Sequence, residues 1–200
     1  MSWRISGLVA LGLVLGVCVA RLSQDAETGT ATWDAERAAG FAAYLLLWTS
    51  TVLGLGVHFR FRPANGPLTV VLESHRVCSA LALSFVAGHV MALLIDPVVR
   101  FSLLDAFVPF TSSYRPIQVG LGTAAMWLLI TTLASTAAAG RMRYATWRAL
   151  HYLAYPCYLL ALAHGITAGT DATSLPALTL YASTAAVVAA LTFARVLGRG

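Results

Sequence analysis

Two stretches of this 200-residue chain carry a histidine at both ends of an otherwise apolar run: HRVCSALALSFVAGH at 75–89 and HYLAYPCYLLALAH at 151–164. An imidazole is costly in hydrocarbon, so an ionisable side chain within an apolar span points by default to function. A single one ordinarily does no more than bond a neighbouring helix. Four at matched spacing ask for a further reason. At 1.5 Å rise per helical residue, the 14-residue step covers about 21 Å and the 13-residue step about 19.5 Å. Two such helices running the same way place His75 level with His151 and His89 level with His164. Opposed imidazoles in hydrocarbon suit an iron porphyrin: the iron takes one nitrogen from each side, and the macrocycle needs an apolar slot between helices. Ala80, Ala82, Ser84, Ala87 and Gly88 on one stretch, with Ala154, Ala161 and Ala163 on the other, leave room for a flat ring. With both axial positions filled, such a centre favours electron transfer over ligand binding at the metal.

The elements that must position these residues are membrane helices. The chain is 58% hydrophobic and 10% charged, with a mean hydropathy of +0.77, whereas soluble domains are roughly a quarter charged. Apolar stretches near the roughly 20 residues a bilayer requires run at about 5–20, 38–57, 73–95, 117–139, 148–168 and 174–195. The expected fold is all-α: one domain over 1–200, a polytopic bundle of six transmembrane helices. Residues 1–20 also read as a signal peptide, whose removal would leave the other spans oriented as before; six retained helices is the preferred reading.

All 13 basic residues are arginine. With the N-terminus inside, Arg4, Arg60, Arg62, Arg76, Arg141, Arg143, Arg148, Arg195 and Arg199 fall on the cytoplasmic side, and only Arg21, Arg37, Arg100 and Arg115 fall outside. Positive residues resist translocation, so both termini are expected in the cytoplasm. The same distribution makes the net charge of +5 a membrane-orientation signal and excludes a nucleic-acid partner. His75 and His151 then lie toward the cytoplasm, His89 and His164 toward the outside. The outer segment DPVVRFSLLDAFVPFTSSYRP, 96–116, is aromatic enough to lie against the membrane surface.

The spacing carries one defect. At about 100° per residue a 14-residue step returns to nearly the same helix face, but a 13-residue step lands about 140° away. Pro156, between His151 and His164, removes a backbone donor, and a kink or wider turn there is expected to bring His164 round. His58 sits among arginines at the cytoplasmic interface and reads as structural. Cys18, Cys78 and Cys157 lie in separate apolar segments with no CxxC or CxxCH motif, which excludes a redox dithiol and covalent haem attachment.

Six spans, with histidine pairs separated by thirteen and by twelve residues, resemble the ferric reductase-like transmembrane domain. HR at 75–76 and WRALHYLAY at 147–155 carry the likeness further. The resemblance implies two non-covalent b haems, the inner held by His75 and His151 and the outer by His89 and His164. It also offers Arg76 and Arg148 as partners of haem propionates, the alternative being positive-inside anchors, and Trp147 and Tyr152 as lining of the inner haem, the alternative being interfacial anchors. The larger members carry a cytoplasmic flavin and NADPH domain. No flavin or NAD site is legible here, because the Gly-rich piece GLGTAA at 120–125 sits in a span. A small relative, the haem-binding membrane subunit of the periplasmic methionine sulfoxide reductase system, similarly lacks that domain.

The expected function is therefore a membrane cytochrome, an oxidoreductase subunit that needs a partner dehydrogenase. It passes single electrons from a separate flavoprotein or quinol donor to an extracytoplasmic acceptor: a ferric chelate, oxygen or a partner reductase. The alternative is a haem-binding membrane anchor for a larger redox complex. Membrane lipid is the surrounding partner. The expected site is a cell (plasma or inner) membrane, and the lysine-free composition suggests a bacterial one.

Overall fold

The computed structural model describes residues 31–59, 67–96, 101–169 and 172–198, with side chains from Asp34 onward. These residues form helices, with no strand among them: α1 (Ala31–His58), α2 (Leu68–Ile95), α3 (Leu103–Phe107), α4 (Pro116–Ala137), α5 (Tyr144–His151), α6 (Ala154–Ala168) and α7 (Leu175–Leu197). A 3₁₀ turn, Ala139–Arg141, joins α4 to α5. Helix is what the medium dictates, because a backbone in hydrocarbon must satisfy its own donors and acceptors. Their sequences mark the starts. Pro116 opens α4, and Ser174 caps α7, its hydroxyl accepting from the Ala177 amide at 3.4 Å.

Four helices, Asp34–His58, Leu68–Ile95, Pro116–Ala137 and Leu175–Leu197, are long and apolar enough to cross a bilayer. The chain is thus a multi-pass membrane protein. They correspond to the second, third, fourth and sixth expected spans. The expected first span, 5–20, lies outside the described residues. The expected fifth, 148–168, is built from two shorter helices, α5 and α6, meeting at Tyr152–Leu153.

That break has a local cause. In a continuous helix, residue 156 would donate its N–H to the Tyr152 carbonyl, and Pro156 has none to give. The chain tightens instead: Leu153 N–H reaches Leu150 O at 3.1 Å and Tyr155 N–H reaches Tyr152 O at 3.1 Å, both three-residue steps. Regular four-residue bonding resumes with Cys157 N–H to Leu153 O at 3.0 Å. The expected kink is present, one turn ahead of the proline that causes it.

The helices pack as two hairpins. α2 lies along α1, and α6 lies along α4. α7 closes the back of the bundle against α1 and α6, where Tyr44 shares hydroxyl bonds with Thr184 (2.6 Å) and Tyr158 (3.3 Å). Trp48 Nε1 donates to Thr184 O at 3.2 Å in the same layer. Small buried residues, Ala43, Ala82, Ala92 and Ala125, let backbones approach closely, as packing between membrane helices requires. Large apolar side chains such as Met91, Ile117, Leu159 and Phe193 face outward, toward lipid. α2 and α6, the two helices that carry three of the four histidines, make their main contacts with the helices behind them. Between them lies a slot.

Candidate functional site

Two pairs of imidazoles bridge that slot. The ring centres of His75 and His151 are 6.1 Å apart with planes at 74°, and those of His89 and His164 are 6.3 Å apart at 78°. The pairing read from depth alone is the pairing found. The break at Tyr152–Leu153 allows both, since it resets the helix phase between His151 and His164.

The rings are held from behind. His75 Nδ1 donates to Ser50 O, His89 Nδ1 to Glu36 O, and His164 Nδ1 to Gln118 O, each at 2.8 Å. A carbonyl oxygen can only accept, so these three rings carry their proton on Nδ1, leaving Nε2 with a free lone pair. That second-shell bond fixes the tautomer and raises the basicity of a ligating imidazole. Ser50 Oγ also contacts His75 Nδ1 (3.0 Å) and Ser79 Oγ (2.6 Å). His151 is held differently. Its ring stacks on Trp147 at 5.2 Å and 23°, and its Nδ1 has no hydrogen-bond partner among the described residues.

What ligand suits these couples? A metal taking a nitrogen at about 2 Å from each of two opposed imidazoles separates the ring centres by about 6 Å, matching both observed spacings. Among the described residues no third histidine, cysteine, aspartate or glutamate joins either couple to make a cage for a bare ion. The spacing also admits an iron that brings four ligands of its own. Around the outer couple opens a largely apolar cavity of about 220 Å³, walled by Leu47, Val86, Val119, Met126 and Leu129 among others. Glu36 and Arg37 stand at that cavity as well.

The segment after α2 roofs the outer couple. Phe101, Asp105, Ala106 and Tyr114 line the cavity, while Leu103, Leu104 and Phe110 are turned outward. α3 is begun by a capping box, with Asp105 N–H donating to Ser102 Oγ (3.2 Å) and the Ser102 N–H and hydroxyl donating to Asp105 Oδ2 (2.8 and 2.6 Å). Trp127 Nε1 ties the end of α3 to α4 through Phe107 O at 2.8 Å.

The two arginines expected beside the inner couple are otherwise engaged. Arg76 is exposed and bonds Glu73 Oε1 at 2.7 Å. Arg148 is exposed and donates to Tyr152 Oη at 3.0 and 3.2 Å. The half-buried cation near His151 is Arg195 of α7, which sequence reasoning treated as an orientation signal only. Its Nη1 donates to Tyr155 Oη at 3.0 Å, its guanidinium lies over Tyr152 at 5.8 Å, and its buried Nε has no partner among the described residues. Trp147 Nε1 is a second such buried, unpartnered donor. His58 is exposed at the end of α1, its ring edge-on to Phe59. Cys157 is buried, its thiol directed at Ala125 O at 3.3 Å, and behaves as a small core residue.

Residues 39–162 match the family model described as ferric reductase-like transmembrane component. That stretch holds three of the four paired histidines, and His164 lies two residues beyond it. Comparison with curated proteins and with solved structures gave no match.

Proposed function

The chain belongs to the family of ferric reductase-like transmembrane components, and we propose that it is a b-type membrane cytochrome. In this reading it carries single electrons across the bilayer by way of two bis-histidine haems. His75 and His151 hold the inner one, His89 and His164 the outer. The observation that carries the reading is the pair of imidazole couples, at 6.1 and 6.3 Å, on opposite sides of one slot. Haem held by these four histidines would supply reversible one-electron exchange.

The chain's own residues supply everything else. Carbonyls of α1 and α4 orient three imidazoles with Nε2 toward the slot. Apolar walls exclude water, and the α3 segment covers the outer end. Arg195 and Trp147 offer N–H donors for a carboxylate at the inner end. The arginine distribution favours both termini on the cytoplasmic side of a plasma or inner membrane. Electrons then enter from a separate flavoprotein or quinol and leave to a ferric chelate, oxygen or a partner reductase.

Reconstituted vesicles test the function. With ferricyanide enclosed and dithionite outside, vesicles bearing the protein should reduce the enclosed acceptor many-fold faster than bare vesicles. His89→Ala or His151→Ala should bring the rate back to the bare-vesicle level. Equal rates with and without the protein would contradict electron transfer across the bilayer.

A further inference from the structure

The three clamped histidines share a feature that lies on other helices. Gly54 stands four residues after Ser50, Gly40 four after Glu36, and Gly122 four after Gln118. Each glycine therefore sits one turn beyond the carbonyl to which an imidazole donates. A side chain in a helix leans toward the N-terminus, so a Cβ at that position would roof the carbonyl. A Cβ on Gly122 would stand 2.7 Å from His164 Nδ1 and Cε1. On Gly54 it would come within 3.2 Å of His75, and on Gly40 within 3.3 Å of His89.

We infer that Gly40, Gly54 and Gly122 are positioning residues. Each leaves a helix carbonyl open to a second donor, so that an imidazole can lie on the helix, give up its Nδ1 proton and aim Nε2 into the slot. The sequence repeats the device. Gly40 and Gly54 are 14 residues apart on α1, as are His89 and His75 on α2. Fourteen residues beyond Gly122 stands Thr136, and its hydroxyl bonds Thr132 O at 2.8 Å. The histidine left over, His151, is the one whose Nδ1 lacks an acceptor among the described residues. The outer couple is thus clamped on both sides and the inner couple on one. This deepens the haem reading, and rests on it for what Nε2 binds, but the geometry stands without it.

The test is made on the full chain, labelled with ¹⁵N-histidine and held in lipid bilayers. Ring tautomers are read by NMR in the dithionite-reduced state, beside haem content per chain. The structure predicts three imidazoles protonated on Nδ1 in the bonded manner and one that differs. Gly122→Ala should remove one ring from that class and empty the outer haem site in most chains. Gly40→Ala and Gly54→Ala, with looser contacts, should shift the signals of His89 and His75 and the potential of the matching centre while retaining more haem. Gly88→Ala is the control: nothing lies within 4 Å of a Cβ there, and the variant should keep wild-type imidazole signals. Unchanged imidazole signals in all three glycine variants would overturn the inference while leaving the haem reading in place. Wild-type protein without haem would overturn that reading, and the imidazole signals would still decide the role of the glycines.

Discussion

His89 and His164 meet across the slot with ring centres 6.3 Å apart, although the helices that carry them pack chiefly against other partners. Helix–helix packing alone does not bring two imidazoles together in hydrocarbon. Each ring is instead pinned from the rear, by Glu36 O of α1 and Gln118 O of α4. The site is thus built by the hairpins as units, and its weak points are the joints that set the rings' phase. The predictions below address those joints and their surroundings.

Pro156→Ala restores a donor to the Tyr152 carbonyl and relieves a break of a kind that costs about 3 kcal/mol or more in a helix interior. The fused α5–α6 helix should straighten, leaving His151 and His164 about 140° apart in phase. We expect a thermal transition no lower than wild type together with loss of one of the two haems per chain. Differential scanning calorimetry and pyridine haemochrome analysis measure the two effects separately.

Tyr44→Phe deletes a hydroxyl that bonds Thr184 at 2.6 Å and Tyr158 at 3.3 Å. Hydrogen bonds between membrane helices are worth about 0.6 to 2 kcal/mol. Because Thr184 keeps its bond to Leu180 O at 2.7 Å, the loss should fall near the lower figure. Unfolding in mixed micelles should show that decrease with both haem spectra unchanged.

Arg195→Gln removes a half-buried positive charge near His151, and a cation stabilises an added electron. At an effective dielectric near 20, a charge about 10 Å away contributes on the order of 1–2 kcal/mol. The inner centre should therefore fall in potential by some tens of millivolts, with the outer centre little moved. Arg76→Gln should shift it much less, because that guanidinium is exposed and paired with Glu73. Redox titrations of the two variants make the comparison.

The Ser102 hydroxyl and amide hold the Asp105 carboxyl below its usual value of 3.8. A depressed folded-state value means that the capping box stabilises α3 above that usual value and loses its contribution as pH falls through the lowered one. Asp105 is half-buried where the α3 segment meets the cavity, and both Ser102 groups that hold it belong to the box, so the effect is local. Protection factors at 103–108, each taken against the intrinsic exchange rate at that pH, should be higher at neutral pH than near pH 3, and low at both after Ser102→Ala.

Much of this arrangement was legible in the sequence. Four apolar stretches became membrane-length helices because hydropathy and length are local properties. The histidine couples followed from depth, since rise per residue converts spacing directly to height. The break at Tyr152–Leu153 followed from Pro156, although the residue that yields is the carbonyl partner four positions back. What escaped was lateral. Gly88, expected to leave room for a ring, does face open space, but the glycines that lie against the histidine rings, at 40, 54 and 122, are on the hairpin partners. Their 14-residue spacing on α1 was visible, but its meaning depends on which helix packs behind which. Arg195 was not singled out for the same reason: no local pattern says that the last helix returns to Tyr152 and Tyr155, beside the inner couple.

The central claim is that each couple holds one haem. Its most direct measurement is a reduced-minus-oxidised absorbance spectrum of the detergent-purified protein, with haem quantified per chain, for wild type and for His→Ala at 75, 89, 151 and 164. The account predicts two b-type haems in wild type and one in each variant, with the same centre lost in His75→Ala and His151→Ala and the other lost in His89→Ala and His164→Ala. A colourless wild-type protein, or haem loss that ignores this pairing, would contradict it.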